Sequence, residues 1–214
     1  MIWIEVLTEG SSDVPTVKEI LSRRFELIEN EHFRIHSHQG RGELPSNPLS
    51  APDPQNRSLL HQLPAKLRAY AKSLTASSLV LVLVDADNMP CFELLQKLKD
   101  MYEALPRKPK VLFRIAIEET ESWFLADTNA IKAAYSTAKL KRIKTIAPDS
   151  VVGAWEVLAE ALGYEVKLIR NSGMLKAQWA EKIAPHLDLI EPKSPSLKKL
   201  VEGVSFYLDN SLPK

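Results

Sequence analysis

The chain has 214 residues, 45% of them apolar and 26% charged, the balance of a folded globular protein rather than a disordered one. Its formal charge of +1 gives no global basic field. That excludes passive coating of nucleic acid, but not an enzyme that meets a few phosphates through metals. A single cysteine, Cys91, excludes an internal disulfide framework and suits a reducing compartment.

The opening run Met1 to Leu7 lacks the basic flank and long apolar segment of a signal peptide. No stretch reaches the roughly 20 apolar residues of a membrane span. A cytoplasmic protein without membrane contact is expected. Ile2 to Leu7 reads as a short strand. Thr8-Glu9-Gly10-Ser11-Ser12-Asp13 follows, with Gly10 for a tight turn and Ser12 or Asp13 to cap a helix from about Val14 to Arg24, Pro15 lying in its first turn. Phe33 to His38 alternates apolar and polar residues, a second strand. His36 and His38 share one face of it and read as polar edge residues, since no third soft ligand lies near.

Gln39 to Asn56, with Pro45, Pro48, Pro52 and Pro54, is a long loop, either functional or a loose insertion. Arg41 and Arg57 bracket it, so it could close over a site. Ser58 to Leu74 has helical spacing, with Pro64 bending or dividing it. Leu79 to Val84 is an unbroken aliphatic run, the mark of a strand buried on both faces in a parallel sheet. Asp85-Ala86-Asp87-Asn88 and Pro90 then form a turn signature. A helix from about Pro90 to Ala104 and a strand from Val111 to Ile117, apolar except for Arg114, complete the alternation. Helices are expected over 119–126, 129–135, 149–162, 174–183 and 195–208, the last capped by Ser194 before Pro195. The expected fold is α/β: a Rossmann-like, mostly parallel sheet of about four strands with helices on both faces. One domain spans 1–214, with a core over 1–127 and a helical extension over 128–214.

Three acidic clusters fall at the carboxyl ends of three predicted strands: Glu9 with Asp13, Asp85 with Asp87, and Glu118 with Glu119 and Glu121. In a parallel sheet those ends share one edge, where open α/β sheets bind ligands. Carboxylates gathered there would raise one another's pKa, a conflict that one or two magnesium or manganese ions would remove. Taken singly, the clusters read as a helix cap, turn chemistry and an acidic first helical turn. The basic run Lys139-Leu140-Lys141-Arg142-Ile143-Lys144 reads as a solvated face or as a phosphate contact. The four tryptophans read as core.

The stretch Thr8 to Asp13 followed by Val84-Asp85-Ala86-Asp87 resembles the TOPRIM domain, the catalytic fold shared by topoisomerases, primases and the OLD-family nucleases. The spacing of Glu9 and Asp13 is similar to the glutamate-x-x-x-acid pattern of the OLD type. Ile115-Ala116-Ile117-Glu118-Glu119-Thr120-Glu121-Ser122-Trp123-Phe124-Leu125-Ala126-Asp127, Lys176 to Ile183 and Ser194-Pro195-Ser196 resemble a TOPRIM-like bacterial family of unknown function. Members of that family are often encoded beside AAA-type ATPases. The resemblance implies Glu9 as general base or metal ligand, and Asp13, Asp85, Asp87 and Glu121 as holders of one or two Mg2+ or Mn2+ ions. Glu118 stands where a glutamine is expected and is the second choice after Glu121. Asp85 joins Glu9 as a catalytic candidate, and Lys176 is a candidate to stabilise phosphoryl charge.

The expected function is therefore a metal-dependent nuclease or nickase. Its partners would be nucleic acid, DNA favoured over RNA, and an ATPase of the AAA or ABC type in defence against phage. The alternatives are a non-catalytic subunit with a TOPRIM-like pocket, or a haloacid-dehalogenase-like phosphatase with Asp85 as nucleophile and Asp87 as general acid.

Overall fold

The computed structural model describes residues 2–87 and 89–211, so Asn88 of the expected turn lies outside the described residues. The amino-terminal apolar run forms β1 (Trp3–Thr8), and α1 (Val14–Phe25) follows its glycine turn. Next come β2 (Phe33–Ser37), α2 (Leu59–Ser73), β3 (Ser78–Asp85), α3 (Cys91–Glu103) and β4 (Val111–Ala116). The remainder is helical: α4 (Glu121–Ala126), α5 (Thr128–Ala134), α6 (Ala154–Ala161), α7 (Ser172–Ile183) and α8 (Pro195–Ser211), with short 3-10 turns between them. Among the described residues no helix is long and apolar enough to cross a membrane.

The four strands form one all-parallel sheet in the order β2-β1-β3-β4, giving an α/β fold with helices on both faces. The strand β3 is buried along its whole length because its side chains alternate between two cores. Leu79, Leu81 and Leu83 join Ile4 and Val6 beneath α1 and the carboxyl-terminal helices. Val80, Val82 and Val84 join Leu7, Phe113 and Ile115 beneath α2 and α3. Two-sided burial is why the strand carries no polar residue between Ser78 and Asp85. Successive connections leave β1 and β3 in opposite directions, so the gap between their carboxyl ends is the topological switch point of the sheet.

Arg114, the polar exception in β4, donates from Nε to the Lys199 carbonyl of α8 at 2.8 Å. Gly203 makes room for it: a Cβ there would stand 2.7 Å from the guanidinium carbon.

One open alternative closes and one expectation changes. Pro64 sits in the second turn of α2 without dividing it. The helix expected from Asp149 begins only at Ala154, because Asp149 (φ 57°) and Gly153 (φ 72°) are left-handed. The Asp149 carboxylate instead accepts from Ser194 Oγ and the Ser196 N–H, each at 2.7 Å. Ser194 Oγ in turn accepts the Leu197 N–H, the expected cap of α8. Trp123 and Trp179 are fully buried in the core, whereas Trp3 and Trp155 are half-buried.

Candidate metal centre at the carboxyl edge of the sheet

The ladder between β1 and β3 ends in a side chain. Beyond Leu7, Glu9 Oε1 accepts the Asp85 N–H at 2.7 Å, taking a backbone donor at the switch point. The turn after β1 then folds its acid inward. Asp13 heads α1 but makes no cap bond with its side chain, contrary to the capping role open to it in the sequence. Its Oδ2 accepts the Gly10 N–H at 3.1 Å, and its Oδ1 accepts from the Thr120 hydroxyl at 3.0 Å. Thr120 immediately precedes α4, so Asp13 connects the ends of β1 and β4 over a buried distance of 107 positions in sequence.

Asp85 is the last residue of β3 and follows the parity of Leu81 and Leu83, toward α1 and the carboxyl-terminal helices. Glu121, the first residue of α4, is 1% exposed. Lys176 of α7 reaches them, with its ammonium 3.1 Å from Glu121 Oε2 and 3.1 Å from Glu119 Oε1. The second oxygen of Glu119 accepts the Trp155 N–H at the start of α6 at 3.2 Å. Glu121 Oε2 is buried and receives no aligned hydrogen bond, although the ammonium is close.

The electrostatics follow from this gathering. Burial, then the charges of Asp13, Glu9 and Glu121, hold the Asp85 carboxyl well above its usual range, with Lys176 opposing them. Burial, Asp13 and Asp87 push Glu9 up to about 8, against the Asp85 N–H and Arg41. Burial raises Asp13, with Glu119 adding to it. Burial carries Glu121 up to about 7 in spite of Lys176. For Lys176, burial alone would favour the neutral amine, but Glu121, Glu119 and Asp85 outweigh it and raise its pKa.

Asp87 and Glu118 lie apart from this buried group, at its rim. Asp87 is exposed and pairs with Arg41 at 3.0 Å. Glu118 is half-buried, its carboxyl raised by burial and by Glu119 and Asp87. Both are left-handed, with φ of 46° and 64°, and the Asp87 N–H donates to the Glu118 carbonyl at 3.1 Å. Two adjacent turns held in a conformation that side chains disfavour mark a rim set by its surroundings. Arg41 also donates to the carbonyls of Asp85 (3.2 Å) and Ala86 (3.0 Å), so the long loop does reach the site. Its bracketing position hinted at this. Glu119 stood among the acids visible in the sequence, but its bond to α6 had no signal there, and neither had the hydroxyl of Thr120. The histidines stay outside: His36 Nε2 meets Glu5 at 2.6 Å and His38 Nδ1 meets the Thr8 carbonyl at 2.8 Å.

Among the described residues no three acidic, histidine or cysteine side chains are already drawn together tightly enough to hold an ion. The donor set nevertheless fits a hard divalent cation. It is all oxygen, it holds four carboxyl groups raised by burial beside the half-buried Lys176 ammonium, and one of its oxygens is buried without a hydrogen bond.

Comparison with curated proteins and with solved structures returned no match. Residues 8–205 match a family described as a domain of unknown function, DUF4276, a span that holds every acid of the site. The chain belongs to the DUF4276 family.

Proposed function

We propose that this protein is a metal-dependent phosphodiester hydrolase, a nuclease or nickase with a TOPRIM-like site. The observation that carries the reading is the meeting of Glu9 and Asp85 at the switch point, with Asp13 and Glu121 close enough to raise the Asp85 carboxyl. Glu9, Asp13, Asp85 and Glu121 would hold one or two magnesium or manganese ions, with Asp87 and Glu118 at the rim. Such ions, when bound, supply Lewis acidity to a phosphodiester and charge balance to the carboxylates. Glu9 keeps one oxygen beyond the bond to Asp85, which suits it to take a proton from water. Lys176 contributes fixed positive charge, steadied by Glu119 and Glu121. Arg41 holds the long loop against the site through two carbonyls and Asp87. The resemblance adds nucleic acid as substrate, DNA before RNA, and an ATPase of the AAA or ABC type as partner in defence against phage.

A second reading, a non-catalytic subunit, draws on the position of Lys176, which already serves as countercharge to Glu119 and Glu121. The phosphatase reading gains little, because Asp85 is buried among acids while Asp87 faces Arg41 at the surface. Magnesium- or manganese-dependent nicking of supercoiled plasmid, lost in Glu9→Ala and Asp85→Ala, would support the hydrolase. Tight ion binding without cleavage of any DNA or RNA, alone or with the ATPase, would favour the subunit.

A further inference from the structure

The basic run at Lys139 to Lys144 takes no part in the acidic site, and the apolar residues within it decide how it is displayed. Ala138 and Ile143 are buried and Leu140 packs on the same core, so Lys139, Lys141, Arg142 and Lys144 are left exposed. Two adjoining surface depressions of about 510 Å³ and 450 Å³ flank the run. Lys139, Lys141 and Arg142 line the first, Lys132, Lys141 and Lys144 the second, and Lys141 is common to both. Arg142 is paired with Glu160, and Lys132 donates to the Ser136 carbonyl. Among the described residues, Lys139, Lys141 and Lys144 form no ion pair. In a chain of net charge +1, three unneutralised ammonium groups in one concave strip are a local field of a single sign.

The helix α6 fixes this strip relative to the acids. At its start the Trp155 N–H is held by Glu119, and at its end the Ala161 carbonyl accepts the Lys139 N–H at 2.8 Å. Those residues are about 9 Å apart along the axis at the helical rise of roughly 1.5 Å per residue.

We propose that this groove is a second, non-catalytic binding site that tracks a nucleic-acid phosphate backbone, held by α6 at a fixed offset from the acidic centre. The inference rests on the hydrolase reading for its substrate. Its chemistry is charge neutralisation with release of counterions, without base-specific contacts.

The test uses the intact protein in chelator, so that binding is read without cleavage. Affinity for a labelled DNA duplex, and for single-stranded RNA of equal length, is measured by fluorescence anisotropy over a range of salt. The triple substitution Lys139→Ala, Lys141→Ala, Lys144→Ala should weaken binding at least tenfold at low salt. It should also flatten the slope of log K against log salt by about 2.7 for duplex, from three contacts at about 0.9 each. Unfolding temperature should not move, since all three side chains are exposed. A control triple at Lys193, Lys198 and Lys199 should leave the slope as it was. A lysine-dependent slope with RNA alone would support the groove and name RNA as the source of the backbone. An unchanged slope in the first triple, an equal loss in the control, or lysine-dependent binding only to anionic vesicles would overturn it. The two proposals fail separately. If no nicking occurs with magnesium or manganese but the slope flattens, the groove stands and the hydrolase falls. If Glu9→Ala abolishes nicking while the triple variant nicks and binds as before, the groove falls and the hydrolase stands.

Discussion

Lys176 holds its ammonium 3.1 Å from Glu121 Oε2, in surroundings where only 2% of the glutamate side chain and 14% of the lysine side chain meet solvent. The pair joins α7 to the first residue of α4 and brings a positive charge beside carboxyl groups that three strand ends deliver. Without it, Asp85 and Glu121 would lose the positive charge that opposes their neighbours, leaving Arg41 to act on Glu9 and Asp87 at the rim.

Lys176→Met removes that countercharge and leaves a buried carboxylate unpaired. Such a change costs about 3–5 kcal/mol in buried pairs. In chelator at pH 8, denaturant unfolding of Lys176→Met should lose stability on that scale. Lys176→Met with Glu121→Gln should lose less than the sum of the single changes. Strict additivity would mean that the two side chains do not act on each other.

The raised carboxyls set a dependence on pH. Glu9 and Glu121 have an ordinary value of 4.5 and are lifted to about 8 and about 7 by burial. Folding therefore favours their protonated forms. The stability this contributes is complete below 4.5 and is lost as pH rises through 7 and 8. His38, which burial lowers from 6.5, is neutral in both states above pH 7.5 and adds no slope there. The metal-free protein should unfold at a lower temperature at pH 8.5 than at pH 7.5. For a domain of this size a loss of 1 kcal/mol is worth about 2–4 °C. Manganese added at pH 8.5 should reverse the loss by binding the native state alone. A melting temperature that is flat in pH and indifferent to the ion would contradict the charge excess described for the site.

Gly203→Ala tests a close approach. By helix propensity alone, alanine would stabilise α8 by about 1 kcal/mol. The new Cβ would instead displace the Arg114 guanidinium from the Lys199 carbonyl. Thermal unfolding should show the substitution destabilising in the wild-type background. It should become stabilising by about 1 kcal/mol once Arg114 is alanine. The same sign in both backgrounds would sink this account of Gly203.

Asp149→Ala addresses the motifs that carried the resemblance. Its carboxylate collects Ser194 Oγ and the Ser196 N–H, and Ser196 Oγ accepts from the Trp123 indole at 2.8 Å. The Glu-Ser-Trp and Ser-Pro-Ser stretches therefore meet in one network, part-buried at Asp149 and buried at Trp123, that docks α8 onto α4. Hydrogen bonds to a carboxylate contribute about 1.5–3 kcal/mol each. Asp149→Ala should lower stability by at least about 2 kcal/mol in equilibrium denaturation. Asp149→Asn, which keeps an acceptor oxygen, should lose clearly less.

By itself, the sequence determined the layers and the edge on which acids gather. The run Leu79 to Val84 could only be a strand covered on both sides, and its alternation between two cores explains each residue in it. Local pattern suffices there because burial of apolar side chains has a period that the chain displays openly. The same pattern listed Glu9, Asp13, Asp85, Asp87, Glu118 and Glu121 without ranking them. Only the tertiary structure separated them, turning Asp13 onto Thr120, setting Glu121 against Lys176, and leaving Asp87 to Arg41 and Glu118 at the rim. It also kept Asp149 out of the helix expected to begin there, turning it to partners more than forty residues away. Those outcomes depend on which donors and charges distant segments bring, and a carboxylate carries no local sign of its eventual partner.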